Sequence, residues 1–158
     1  VRQMGVSPAQ IGFLFLVPMA GFTVGSLAAS RLAPRLRLRR MLDIGYALVL
    51  AGAVLVAAVV FGFGLSMGPL LGAMFLFTMG GGFVSPMALT GAISVLPGSV
   101  GAAAGLCGCL QMLWGAVCTL VVGLWHDNPA VTTATLLLSA ATASQVLHLV
   151  ASRRGQPS

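Results

Sequence analysis

The chain has 158 residues, of which 58% are hydrophobic and only 6% are charged. A soluble domain carries about 25% charged residues, so this composition excludes a folded surface exposed to water on all sides. The net charge of +6 comes from arginines that lie mainly in one short segment and near the C-terminus. Nucleic-acid binding would need a basic face on a soluble domain, so the sequence argues against it. The lipid bilayer is the first partner that the sequence predicts.

Five apolar runs are long enough to cross a bilayer as helices, because a helical span takes about 20 apolar residues. We therefore predict an all-α fold, a polytopic membrane helix bundle with about five transmembrane helices in a single domain, 1–158. Ser7 and Pro8 are expected to begin the first helix, as its cap and its first residue. The predicted spans cover residues 11–30, 42–61, 69–95, 100–125 and 131–150.

The segment between the first two spans sets the expected orientation. Residues 31–41 hold five of the eight arginines, and Lys and Arg keep short loops in the cytoplasm. We therefore expect a multi-pass protein of the cell (inner) membrane with its N-terminus outside and its tail, 151–158, in the cytoplasm. Asp43 is expected in the first helical turn after this loop, where an acid suits the helix dipole. The charged residues of this region are Arg31, Arg35, Arg37, Arg39, Arg40 and Asp43.

Glycines recur at helical spacing in the first and fourth spans. Those of the fourth span fall within about 80° of arc around the helix axis. In a bilayer, small residues let helices approach closely, whereas apolar side chains gain nothing by leaving lipid. We predict helix packing through Gly21, Gly25, Gly101, Gly105, Gly108 and Gly115.

The opposite side of the fourth span carries Gln111 near the middle of the bilayer, with Trp114 one turn away. A polar side chain at that depth is costly unless it faces water or finds a partner. Two interpretations of Gln111 therefore stay open, a place in a cavity wall and an interhelical hydrogen bond. Trp114 is either a core residue or a platform for a ligand. Nearby cysteines, Cys107 and Cys118 among them, are interpreted as small packing residues.

The third span contains Gly80, Gly81 and Gly82, followed by Pro86. Each glycine costs about 1 kcal/mol relative to Ala in a helix interior, and the proline removes a backbone hydrogen bond. Interrupted helices mark substrate sites in transporters, so we predict a hinge at these four residues; a static kink is the alternative. The predicted substrate-cavity residues are Phe77, Met79, Phe83, Gln111 and Trp114.

Catalytic chemistry finds little support in the sequence. The chain has no Glu and no Lys, and no hydrolase, metalloprotease or phosphate-loop motif occurs. Asp43, Asp127, His126 and His148 lie near the ends of spans, where a solvated side chain is the ordinary interpretation. We therefore predict a protein that is not an enzyme and that uses no metal or cofactor.

Three pieces of sequence, taken in their order, resemble the major facilitator superfamily and within it the Bcr/CflA drug-resistance branch. They resemble the eighth, tenth and eleventh of the family's twelve helices, and the likeness extends over residues 5–150. The first piece is 12–15 with Gly25, Ser26, Arg31, Arg39, Arg40 and Gly45; the second is 80–82 with 86–88; the third is 101–105 with Gly108, Leu110 and Gln111.

The resemblance implies proton-driven export of small, often amphipathic compounds by alternating access. It implies a cavity faced by the third and fourth spans, with Arg39 and Arg40 as a cytoplasmic gate or as contacts to lipid headgroups. The chain would then be the C-terminal part of a transporter, and its missing partner, an N-terminal half, would hold the proton-carrying acids. The alternative is a truncated or non-transporting integral membrane subunit without catalytic activity.

Overall fold

A computed structural model describes residues 8–63, 67–95, 98–124 and 129–154 of the chain. Each of the five helices that these residues form is long and apolar enough to cross a membrane, which confirms the predicted all-α membrane bundle. Ser7, His126 and Asp127 lie outside the described residues. The helices are α1 Pro8–Leu32, α2 Leu38–Ala58, α3 Met67–Val95, α4 Val100–Leu124 and α5 Pro129–Arg154, and a π-helical turn, Val59–Phe63, extends α2.

The basic connection between α1 and α2 is shorter than expected, because arginine is a good helix former. Arg37 has extended backbone angles, and its carbonyl accepts the Met41 N–H at 3.2 Å, so α2 starts at Leu38. Arg39 is therefore in the first turn of α2. Asp43 lies beyond that turn, about 7.5 Å along the axis from Leu38, and the prediction that it occupies the first turn was wrong.

Helix α3 lies between α1 and α2 and is continuous from Met67 to Val95. The break considered at its three glycines and at Pro86 is absent. Close neighbours compensate for the weak helix propensity of these residues, because glycine lets another backbone come into contact. A methyl group added at Gly82 would overlap the Phe22 carbonyl of α1, and one added at Gly80 would overlap the backbone of α2 at Val49.

The order of contacts along the helices gives their relative directions. Gly21 and Gly25 of α1 meet Phe75 and Met79 of α3 in the same order, so α1 and α3 run parallel. Between α2 and α3 the order is reversed, since Gly45 meets Val84 whereas Gly52 meets Phe77.

Helix α5 runs antiparallel to α2, because Asp43 contacts His148 and Val56 packs with Ala134. The C-terminal ends of α1, α3 and α5 therefore lie together with the start of α2. We call this the basic end of the bundle, since it holds Arg31, Arg39 and Arg40.

Two clusters of buried side chains form the core. One lies at the basic end and contains Ala29, Met41, Phe83 and Met87. The other lies towards the opposite end and contains Val56, Ala73 and Ala134. Each cluster joins α2 and α3 to one flanking helix, which is α1 in the first cluster and α5 in the second. Helices α2 and α3 are therefore the centre of the bundle.

Helix α4 packs least, and Ala103 is its buried residue among those described. A methyl group added to any glycine of its predicted stripe would meet no described atom within 4 Å, so the prediction of close packing there was wrong. Three glycines of the stripe are exposed and Gly108 borders a cavity, whereas Gly21 and Gly25 lie directly against α3. The α4 glycines concerned are Gly101, Gly105, Gly108 and Gly115.

Gly25→Leu should destabilise the bundle by at least about 1–3 kcal/mol, the usual cost of overpacking, because the new side chain would collide with the Met79 backbone. The matched control is Gly105→Leu, at an exposed glycine with open space around it. Unfolding of both variants in mixed micelles with increasing SDS, followed by circular dichroism, measures the effect. Equal midpoints for Gly25→Leu and Gly105→Leu would contradict the packing described.

Candidate functional site

A cavity of about 620 Å³ opens between the helices in the half of the bundle nearer the basic end. Every helix contributes to its wall. The backbone of Gly81 forms part of it, because α1 and α2 occupy the positions beside Gly82 and Gly80 and leave the third glycine uncovered. The polar groups on the wall are the hydroxyls of Ser26, Ser85 and Ser144, the phenol of Tyr46, the amide of Gln111 and the thiol of Cys107.

The serine hydroxyls in this wall differ from other hydroxyls of the bundle. Thr23, Thr90 and Thr119 each donate to a carbonyl one turn earlier in their own helix, at 2.8–2.9 Å. Ser26 and Ser85 make no hydrogen bond to any described residue. Since lipid offers no hydrogen bonds, a hydroxyl left free of its own backbone suits a wall that meets water or a polar ligand.

Gln111 lies in the same wall as Ser26 and Tyr46, to which α4 contributes it. Its amide makes no hydrogen bond to the described part of the chain, so an interhelical bond does not account for it there. Of the two interpretations of the sequence, cavity lining is the one that agrees with this position.

Phe77 and Trp114 lie together in a second cavity, also of about 620 Å³, between α3, α4 and α5. Its wall is mostly apolar, with the Cys118 thiol and the hydroxyls of Thr119 and Thr133 as polar groups. The predicted cavity residues are thus divided, with the amide of Gln111 in one space and the two aromatic rings in the other.

Two of the predicted cavity residues lie elsewhere. Phe83 is only 4% exposed, and its ring belongs to the core cluster at the basic end. Met79 places its backbone against Gly25 and is absent from the wall of either large cavity. Both corrections have one cause: the glycines of α3 draw α1 and α2 close to it, and the side chains beside those contacts become core. Pro86, one of the predicted hinge residues, lies in the wall.

A contact between an imidazole and a carboxylate, which the sequence does not indicate, joins α2 to α5 beside the first cavity. Nε2 of His148 lies 2.6 Å from Oδ1 of Asp43. The His148 side chain is only 10% exposed, whereas that of Asp43 is 51% exposed. The ring of His148 also lies against that of Tyr46, with centroids 4.7 Å apart. The interpretation of His148 as a solvated interfacial side chain was therefore wrong.

One further polar atom near this pair lacks a partner. Oε1 of Gln145, on α5 one turn before His148, is buried and accepts no hydrogen bond within the described residues. An unpaired buried acceptor costs about 1–3 kcal/mol, so it favours the arrival of a donor from outside the protein. No group of three or more His, Cys, Asp or Glu side chains suitable for a metal occurs in the described ranges.

The spacing of polar residues along α2 and α5 could have indicated several of the site residues that the sequence analysis missed. Asp43 and Tyr46 are three residues apart, and Ser144 and His148 are four apart, so each pair lies on one helix face. A face with two polar side chains in an apolar span is unusual enough to merit attention. The approach of α2 to α5, which joins the two faces, depends on residues 105 positions apart, and no local pattern indicates it.

Comparisons of the chain with protein-family models, with curated proteins and with solved structures give no match. The resemblance to the major facilitator superfamily therefore stays a prediction. The cavity and the polar groups in its wall are the observations that bear on function.

Ser85→Cys, in a protein whose native cysteines are replaced by alanine, should react with a charged, water-soluble methanethiosulfonate in lipid nanodiscs, because the thiolate forms only where water reaches it. Leu113→Cys is the matched control, since Leu113 is 63% exposed on the outward side of α4, where lipid would surround it. The rate of modification, measured by mass spectrometry, should be clearly higher for Ser85→Cys. Equal rates would contradict a hydrated cavity.

Proposed function

We propose that this chain forms the cavity-bearing C-terminal part of a secondary active transporter that exports small, amphipathic compounds in exchange for protons. The single observation that carries the proposal is the cavity of about 620 Å³, walled by all five helices. It combines apolar wall residues such as Val49, Val84 and Leu89 with hydroxyl and amide groups. Such a mixed wall suits a ligand with an apolar body and a few hydrogen-bonding groups.

The absence of charged side chains in the wall restricts the chemical class of compound that the cavity can hold. None of the described residues that line this cavity carries a formal charge. Burying an ion without an opposite charge is costly, so a compound that is neutral, or whose charge is spread over a large apolar ring system, fits better than one with a localised charge. Tyr46 and Phe22 add aromatic surface that can pack against a flat, apolar cargo.

Charge distribution supports an orientation with the basic end in the cytoplasm. Arg31, Arg35, Arg39 and Arg40 are all exposed at that end, where they could contact anionic headgroups or gate the entrance. The cavity lies in the same half of the bundle, so it would open towards the cytoplasm, as an exporter requires for loading. The N-terminal half of such a transporter is the partner that would complete the wall.

Dye binding tests the cavity directly. The chain in nanodiscs should bind rhodamine 6G saturably, as measured by fluorescence polarisation. Gln111→Leu should raise the Kd about 2- to 13-fold, since the loss of one hydrogen bond costs about 0.5–1.5 kcal/mol. The matched control is Met112→Leu, because Met112 is 75% exposed and absent from the cavity wall. Absence of saturable binding, or equal Kd values for both variants, would contradict the proposal.

Transport is measured with the same protein in proteoliposomes that contain the dye and carry an imposed pH gradient. Loss of dye should be faster than from protein-free liposomes and slower with Gln111→Leu than with Met112→Leu. Dye loss at the protein-free rate would contradict a transport function for the chain as it stands.

A further inference from the structure

We propose that Asp43 and His148 form a proton-binding site that controls how tightly α2 and α5 are held together beside the cavity. Their contact, 2.6 Å between Nε2 and Oδ1, joins positions 105 apart in the chain. A carboxylate only accepts hydrogen bonds, so the imidazole N–H donates. The acceptor is already ionised, and protonation of the second ring nitrogen adds a positive charge to the donor, so that the hydrogen bond becomes an ion pair.

The geometry provides a path for exchange of the proton and a link to the cavity. The Asp43 side chain is half exposed and reaches the surroundings of the basic end, whereas His148 is almost covered. Tyr46 lies between the pair and the cavity, because its ring contacts His148 and its side chain is part of the wall. A positive imidazole is attracted to an aromatic face, so proton uptake would fix Tyr46 as well as the α2–α5 contact.

Other charged and titratable groups lie around the pair on α1 and α2. On α2, Arg39 and Arg40 lie one turn before Asp43, are exposed, and form no ion pair with it. Arg31 ends α1, and α3 contributes no titratable side chain.

The remaining groups are on α4 and α5. Cys107 lines the cavity, and α5 ends with Arg153 and Arg154. Free imidazole changes its charge between about pH 5 and 8, which sets the pH range of the test below.

A role for this proton in export rests on the proposed function, whereas its binding to the pair does not. If cargo in the cavity prefers one position of Tyr46, then cargo and proton change each other's affinity by the same factor. The site would then supply proton coupling from α2 and α5, in addition to any acid of an N-terminal half.

The test measures the α2–α5 distance as a function of pH. Spin labels are attached at Leu38→Cys and Val150→Cys, two exposed positions at the basic end, in a protein whose native cysteines are alanine. In nanodiscs, the distance distribution should narrow and move to shorter distances as the pH falls from about 8 to 5. A second label pair, at Val54→Cys and Val131→Cys towards the other end, should not respond.

Asp43→Asn and His148→Gln should each abolish the pH response, because one loses the charge that attracts the proton and the other cannot titrate. The exchanged variant with Asp43→His and His148→Asp should restore it, which separates the ion pair from a general loss of folding. Arg35→Gln is the matched control, since it removes an exposed charge at the same end and should leave the response intact.

A pH response that is absent from the unsubstituted pair, or that persists in both Asp43→Asn and His148→Gln, would overturn the proposal. Its failure is distinguishable from failure of the proposed function. Loss of dye without a pH response of the α2–α5 distance would support the transporter and contradict the proton site. A pH response of that distance without dye binding would support the proton site and contradict the transporter.

Discussion

Close backbone contact of α3 with α1 and α2 is the constraint on which the rest of the bundle depends. Glycines on all three helices make it, since an added side chain at Gly25, Gly52 or Gly82 would overlap a neighbouring backbone. In lipid, where apolar side chains gain nothing by association, such contact and the dispersion it brings are what hold helices together. The same contact turns Gly81 towards the cavity, so the packing of the bundle and the shape of the site have one origin.

The surrounding solvent explains the chemistry of the cavity wall. Several threonine hydroxyls donate within their own helix, as that of Thr90 does, which lets them face lipid at little cost. Ser26, Ser85 and Gln111 lack such partners among the described residues and are gathered in one wall. These three unpaired groups therefore face a space that can hold water or cargo, whereas hydroxyls paired within their own helix need none.

The sequence predicted the features that depend on local composition and missed those that depend on distant approach. Length and hydropathy were sufficient for the five helices, and the depth of Gln111 was sufficient to mark it as a candidate. Glycine spacing was ambiguous, because it describes a face without saying what covers it: the α1 glycines meet α3, whereas Gly105 meets nothing described. Phe83 became core and His148 became the partner of Asp43 through contacts between helices, which no periodicity records.

The most direct test of the account is whether Gly25 contacts Met79 in a lipid bilayer. Solid-state NMR of the chain with ¹³Cα-glycine and ¹³C-carbonyl methionine measures this contact. A ¹⁵N-glycine label selects the three methionine carbonyls that precede a glycine, those of Met4, Met67 and Met79, and the variants Met79→Leu and Gly25→Ala assign the two signals. The account predicts a strong through-space cross-peak between the Gly25 Cα and the Met79 carbonyl carbon. Absence of that cross-peak, in a spectrum that contains the expected signals within each helix, would contradict it.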